Sequence, residues 1–161
     1  MPIVARIRHK AHDYAVDRLD RAIIDQLCRN GRLTNTELAD RVGLTPSPCL
    51  RRVRRLEEAG VITGYHARVD PVAAGRGFQV VVFADLAATD RGSVQRFEER
   101  VASFDEVVGV RRMFGSPDYL IDVAVADLGG YERFLTSTLM DTPGLARLTS
   151  HFAMKAIKSA D

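Results

Sequence analysis

Residues 45–56 read TPSPCLRRVRRL, from Thr45 to Leu56, and set four arginines within five positions. Thr45 can cap a helix, and Pro46 then stands at its first position, where a missing N–H costs nothing. On a wheel at about 100° per residue, Cys49, Val53 and Leu56 share one side. Ser47, Arg51, Arg54, Arg55 and Glu58 share the other, with Pro48 and Arg52 on its flank. Such a helix buries one face and offers a cationic one. A charge run is commonly just a solvated surface, here beside Glu57 and Glu58. Its neighbours in the chain give it another use.

Upstream, Leu19, Ile23, Ile24 and Leu27 make one apolar stripe, which predicts a helix from Asp17 to Arg29, stopped by Asn30-Gly31. A second helix is expected from Asn35, after Thr34, with Leu38, Ala39 and Val42 on one face and Gly43 as its stop. The third, from Pro46, runs to about Ala59 before Gly60. Three short helices with a tight glycine turn before the third match a helix-turn-helix, whose last helix enters a DNA major groove. Arginine suits that position, because its planar fork takes two guanine acceptors or one phosphate. Ser47, Pro48 and Arg51 are expected nearest base edges. Arg52, Arg54 and Arg55 divide between bases and phosphates. Thr34 and Asn35 are candidates for phosphate contact, for N-capping, or for both.

Downstream, Val61–Pro71 reads as an extended segment closed by Asp-Pro, which puts a linker strand at residues 64–76. The rest alternates in type. Strands are expected at Phe78–Leu86, Val107–Phe114, Tyr119–Ala126 and Leu145–Ile157, and helices at Val94–Ser103 and Leu128–Met140. That order, βαββαβ, is the split ferredoxin-like unit. The fold class is therefore α+β. A winged-type helix-turn-helix domain (residues 17–63) precedes a ferredoxin-like domain (residues 77–161) with a four-stranded antiparallel sheet. A run such as VVVF is apolar on both faces, so a dimer is expected, packed sheet against sheet or edge against edge. Residues 1–16 carry no period and no caps and are expected to form a flexible extension.

Composition agrees with two jobs. Between Arg18 and Arg68 there are ten Lys/Arg and six Asp/Glu; from Val69 onward there are ten and thirteen. The basic front half suits a polyanion. No apolar run approaches the ~20 residues of a membrane span, and MPIVARIRHKAHDY has no apolar signal core. Cys28 and Cys49 form no CxxC pair, and His9, His12 and His66 are not spaced for a metal. The expectation is a cytoplasmic protein with reduced cysteines, no metal, no cofactor and no membrane partner.

Taken together, LDRAIIDQLCRNGRLTNTELADRVGLTPSPCLRRVRRLEEAGVITGY, then PDYLIDVAV and TPGLARLTSHFAMKAIK, resemble the Lrp/AsnC (feast/famine) regulators over about residues 17–158. The resemblance implies a transcription factor that binds double-stranded DNA. It implies homodimers built through the sheet domain, often assembled to octamers, with a small effector, usually an amino acid, held between subunits. In that family the loop before the third strand of the sheet domain reads close to Gly-Asp-X-Asp. Here it is Gly115-Ser116-Pro117-Asp118, so Ser116 replaces the first acid. Backbone N–H groups of such a turn can hold a carboxylate, and Asp118 can pair with an ammonium group. The same four residues also make good plain turn chemistry. With Tyr119, and with Met140, His151, Phe152 and Ala153 on the implied cleft wall, they form the expected effector set. Met140 and Phe152 can equally be core, and His151 an interface residue.

One branch of the same architecture resembles siroheme decarboxylases, where His151 and Arg111-Arg112 would serve a tetrapyrrole pocket. The arginine face of the third helix argues against an enzyme, which has no use for it, and no catalytic residue is assigned.

Overall fold

The computed structural model describes residues 14–155 and residue 157. The chain divides at Arg68 and Val69 into two compact units. Most of the extension expected over residues 1–16 lies outside the described residues. Tyr14 does not: it is half-buried against the first unit, and its hydroxyl donates to Asp20.

In the first unit, Asp17 opens helix α1 (Arg18–Arg29) with a capping box: its side chain accepts from the Asp20 N–H, and Asp20 accepts from the Asp17 N–H. Thr34 and Glu37 form the same box at α2 (Asn35–Val42), which ends on Gly43 at φ 70°, a left-handed turn that glycine adopts without strain. Helix α3 (Pro46–Glu58) follows. Thr45 precedes it with extended backbone, but its side chain makes no capping hydrogen bond, contrary to expectation. A capping oxygen takes the N–H of the second or third helical residue, and the third is Pro48, which has none. The Asn35 amide nitrogen instead ties the two helix starts together, donating to the Pro46 carbonyl at 2.8 Å. Ile23, Leu38, Ala39, Cys49 and Leu56 form the core, with Leu27, Val42 and Val53 packed on it. Burying a side chain such as Ile23 or Leu56 contributes roughly 1.5–3 kcal/mol, so this small core depends on each one.

Between Glu58 and Phe78 the structure has no strand, so the linker strand expected over residues 64–76 is a correction. Asp70 and Pro71 make a turn there. The Asp70 carboxylate accepts from the Ala73 N–H, and its carbonyl accepts from the Ala74 N–H. An extended segment also needs a partner to become a strand, and none lies beside this one among the described residues.

The second unit runs β1 (Phe78–Leu86), α4 (Arg91–Ala102), β2 (Val107–Arg112), β3 (Tyr119–Val125), α5 (Leu128–Phe134) and β4 (Leu145–His151). The sheet is antiparallel in the order β2-β3-β1-β4. Its inner face sets Val80, Val82, Ala84, Ile121 and Val123 against Phe97, Val101, Tyr131 and Phe134. Several ends differ from expectation. Helix α4 starts three residues earlier, because Asp90 accepts from the Gly92 and Ser93 N–H groups. Strand β2 stops at Arg112, where the Met113 N–H closes onto the Asp118 carbonyl. Strand β4 stops at His151, and Phe152 leaves the sheet to pack on the Phe78 ring, 5.6 Å between centroids. Helix α5 passes into a π-helical turn over Leu135–Leu139.

The outer face of the sheet carries Val81, Phe83, Asp85, Leu120, Asp122, Arg147 and His151, aligned across three strands. The pairing of β1 with β4 shifts register at Asp85 and Leu86, where Ala146 is the extra residue. A bulge of this kind re-aims side chains beside it.

Candidate functional site

The exposed side of α3 carries Ser47, Arg51, Arg54 and Arg55, as the periodicity requires. Pro48 is half-buried beside them. Among the described residues no carboxylate lies within 4 Å of the Arg51, Arg54 or Arg55 guanidinium, so Glu57 and Glu58 do not neutralise the face. Glu57 instead accepts from the Tyr65 hydroxyl at 2.9 Å. Burial, reinforced by that carboxylate, pushes the Tyr65 phenol up to about 12. Arg55 also lies over the Tyr14 ring, 5.6 Å from its centroid.

Arg52 does something else. Its guanidinium sits 2.7 Å from Asp17 and 2.8 Å from Asp20, and the Asp20 side chain is only 2% exposed. The hydrogen bonds that Arg52 donates to Asp17 and Asp20 push its pKa up. Arg52 thus locks α3 onto the start of α1 rather than extending the outward face. Thr34 is engaged in its capping box, donating to Glu37 at 2.8 Å, and Asn35 holds Pro46. Both candidates sit at the start of α2, with their side chains already used to build the unit.

In the second unit, Gly115, Ser116, Pro117 and Asp118 form the turn between β2 and β3, with Gly115 at φ 102°, a conformation that favours glycine. One Asp118 oxygen accepts from the Leu86 N–H at 2.8 Å. The centre of the cluster is Asp85, which the sequence reading missed. Its carboxylate accepts from the Asp118 N–H at 3.2 Å, the Ser116 hydroxyl at 3.4 Å, and two Arg147 nitrogens at 2.9 and 2.8 Å. The bonds from Arg147, with smaller help from the Asp118 N–H, hold the Asp85 carboxyl below its ordinary 3.8. The available signal was an acid near the end of an otherwise apolar strand. Arg147, 62 residues away, gave none.

The other effector candidates are not gathered at this turn. Tyr119 is a correction: it is 1% exposed, its ring packs 4.8 Å from Phe97, and its hydroxyl donates to Glu98. Burial first, then Glu98, pushes its phenol up to about 12. The position next to a loop is not the face towards it, because successive strand residues alternate. Met140 is exposed and lines a cavity of about 300 Å³ with Leu135, Leu145, Arg147, Leu148 and Ser150. His151 and Ala153 line another, of about 340 Å³, on the outer sheet face with Gln79, Val81, Val108 and Asp122. A further cavity, of about 600 Å³, was not foreseen; Arg76, Asp105, Glu106 and Arg133 are among the residues that line it. Neither Arg111 nor Arg112 lines the cavity of about 340 Å³ beside His151, although Asp122, the partner of Arg111, does. Arg111 pairs with Asp122 at 2.6 Å, while Arg112 is directed to Glu98. Among the described residues no group of three His, Cys, Asp or Glu side chains could hold a metal, and no helix is long and apolar enough to cross a membrane. Cys28 is exposed and Cys49 buried, and neither is in a disulfide.

Comparison with known proteins gives this arrangement its context. Residues 16–63 match the model for a winged helix-turn-helix DNA-binding domain, and residues 79–161 match that for an Lrp/AsnC ligand-binding domain. This chain belongs to the Lrp/AsnC family. It is 42% identical to the Bkd operon transcriptional regulator of Pseudomonas aeruginosa over 142 residues, 88% of this chain and 93% of that protein. It is 35% identical to the leucine-responsive regulatory protein of Escherichia coli K12 over 91% of this chain and 89% of the relative. Among solved structures, a transcriptional regulator from Neisseria meningitidis in complex with L-Met superposes at TM-score 0.84. The two are 34% identical, and the match covers 90% of this chain and 94% of that one. An AsnC family regulator from Agrobacterium tumefaciens superposes at 0.82 with 38% identity, covering 89% and 93%. Lrp/AsnC proteins of this kind are DNA-binding regulators that carry a ligand-binding domain, and the chain is a regulator and not an enzyme. The decarboxylase alternative falls with that finding.

Proposed function

We propose that this Lrp/AsnC regulator reads DNA through the face of α3 that carries Ser47, Pro48, Arg51, Arg54 and Arg55. Arg52 serves as the strut that holds the face in place, and Thr34 and Asn35 bring the start of α2 against a phosphate. The observation that carries the reading is the row of arginines without carboxylate partners among the described residues on an exposed helix face, while Arg52, one residue away, is fully engaged. An unneutralised row of guanidiniums on a recognition helix is what a phosphate and guanine surface requires.

The sheet domain, residues 77–161, senses an amino acid. Gly115, Ser116 and Asp118 grip its polar end, Pro117 shapes the turn, and Met140, His151, Phe152 and Ala153 line the walls that a second subunit completes. The L-Met in the Neisseria meningitidis neighbour supports that ligand class. The working unit is a homodimer, further assembled to an octamer or similar multimer. Support comes from the apolar surface the sheet domain leaves exposed, with Val108 at 53%, Met113 at 43% and Phe114 fully exposed. Ligand binding then shifts the relation between DNA-binding units, which is coupling between distinct sites.

The test is fluorescence anisotropy with DNA upstream of the protein's own gene, across a salt series, with and without a pool of amino acids. The expected result is affinity that falls steeply with salt and changes with the pool. Binding no tighter than to random DNA over several upstream fragments overturns the DNA-reading face. Tight binding that no amino acid alters overturns the sensing half alone.

A further inference from the structure

We infer that Asp85 and Arg147 determine which ligands the effector site accepts: their ion pair opens to a zwitterion, Asp85 taking an ammonium group and Arg147 a carboxylate. This rests on the reading of the Gly115–Asp118 turn as the effector loop.

The loop Gly115-Ser116-Pro117-Asp118 itself holds one carboxylate, Asp118. The structure returns a second from β1. Asp85 lies 3.4 Å from the Ser116 hydroxyl and 3.2 Å from the Asp118 N–H, at the β1–β4 bulge. It is not available as a bare charge, because Arg147 across the strand pair holds it with two hydrogen bonds. The Arg147 side chain is 69% exposed and that of Asp85 is 23% exposed. Both partners are reachable from solvent, so a ligand that supplies both charges can take the place of the pair. Arg147 also borders the cavity of about 300 Å³ lined by Leu135, Met140, Leu145 and Leu148, which has room for an apolar side chain.

Charge balance then sets the selectivity. A ligand with only an amine that takes Asp85 leaves Arg147 without its partner. One with only a carboxylate that takes Arg147 leaves Asp85 without its own. A zwitterion replaces the internal pair by two new ones and leaves neither charge stranded. The pair therefore works as a two-key lock for molecules that carry both groups, and it discriminates against the amine and the acid through the cost of an unpaired charge. Asp85 is also tied to the loop through Ser116 and Asp118, so occupying it pulls on the loop.

The test uses the full chain and calorimetric titration with each of the twenty standard L-amino acids. The amino acid that binds most tightly is then compared with its decarboxylated amine and its deaminated acid, in wild type, Asp85→Asn and Arg147→Gln. Circular dichroism and effector-free DNA affinity confirm that both variants are folded. Wild type is expected to prefer the amino acid over either half-ligand by at least about tenfold, the size of one charge-assisted hydrogen bond. Asp85→Asn should close the gap for the acid, and Arg147→Gln the gap for the amine. If both variants keep the wild-type preference, the pair does not select ligands and the inference is overturned, while the amino-acid reading stands. If no amino acid binds wild type, both fail together.

Discussion

The strands of the sheet and helix α3 use arginine in opposite ways. In the sheet unit, Arg111, Arg112 and Arg147 each face a carboxylate, and Arg100 lies over the Phe104 ring at 4.7 Å. On α3, Arg51 and Arg54 face none among the described residues, and Arg55 has only the Tyr14 ring. Acids were available: Glu57 and Glu58 lie in the same helix. A surface that leaves cations uncompensated beside available acids is suited to meet anions from elsewhere. A surface that pairs them is shaping itself. The same distinction runs through α3, where Arg52 behaves like the sheet-unit arginines.

The strongest way to break the comparison is to remove the cations the fold does not use. Arg51→Ala combined with Arg54→Ala should lower DNA affinity about a hundredfold or more and make the salt dependence shallower by roughly one unit per lost phosphate contact. Anisotropy titrations at several salt concentrations measure both. Arg111→Gln combined with Arg112→Gln, which removes the same two charges from the other unit, should change effector-free affinity less than about threefold, since neither meets a phosphate. Equal losses in the two variants would mean that overall charge, not the α3 face, carries binding.

Next in size is the arginine that breaks the pattern on its own helix. Arg52→Ala leaves the buried Asp20 carboxylate with only the Tyr14 hydroxyl and the Asp17 N–H. The expected loss of stability is about 2 kcal/mol, below the ~3–5 for a fully buried pair, because water reaches Arg52. Urea unfolding followed by circular dichroism reads it. A loss of DNA affinity without a loss of stability would place Arg52 on the DNA instead.

A smaller effect is expected from Asp118→Asn, which keeps an oxygen to accept the Leu86 N–H but removes the charge. DNA affinity without effector should stay unchanged, and the effector concentration for half response should rise about tenfold. An unchanged response separates the turn from the effector.

The sequence made the helical unit legible almost completely, because its information is local. The cap at Thr34, the glycine at position 43 and the period of α3 all act within a few residues. What it concealed was the role of Arg52, whose partners lie 35 and 32 residues earlier in the chain. The strands were legible for the same local reason, but their pairing partners and faces were not. Tyr119 and its neighbours in YLIDVAV are apolar on both parities, so nothing said that Tyr119 points to Phe97 and away from the loop. Asp85 and Arg147 meet only because β1 pairs with β4, and the linker residues 64–76 read as extended without showing that no partner strand awaits them.

The smallest effect sharpens the comparison through protons. Asp17 and Asp85 both have carboxyls held below the ordinary 3.8, but for different reasons. For Asp85 the first cause is Arg147; for Asp17 it is the Asp20 N–H, with Arg52 second. A depressed carboxyl contributes stability that is present above its unfolded value and is lost as pH falls through its folded value. Both contributions should therefore be constant from pH 7 down to about 5 and fade only below about 4. Arg147→Gln should return the Asp85 titration most of the way to the ordinary value. Arg52→Gln should return Asp17 only part of the way, since its capping hydrogen bond survives. Carbon NMR of the side-chain carboxyls against pH resolves the two. If the Asp85 titration does not move in Arg147→Gln, the loop N–H and hydroxyl hold it instead, and the carboxylate there is a structural anchor for the turn rather than half of an exchangeable pair.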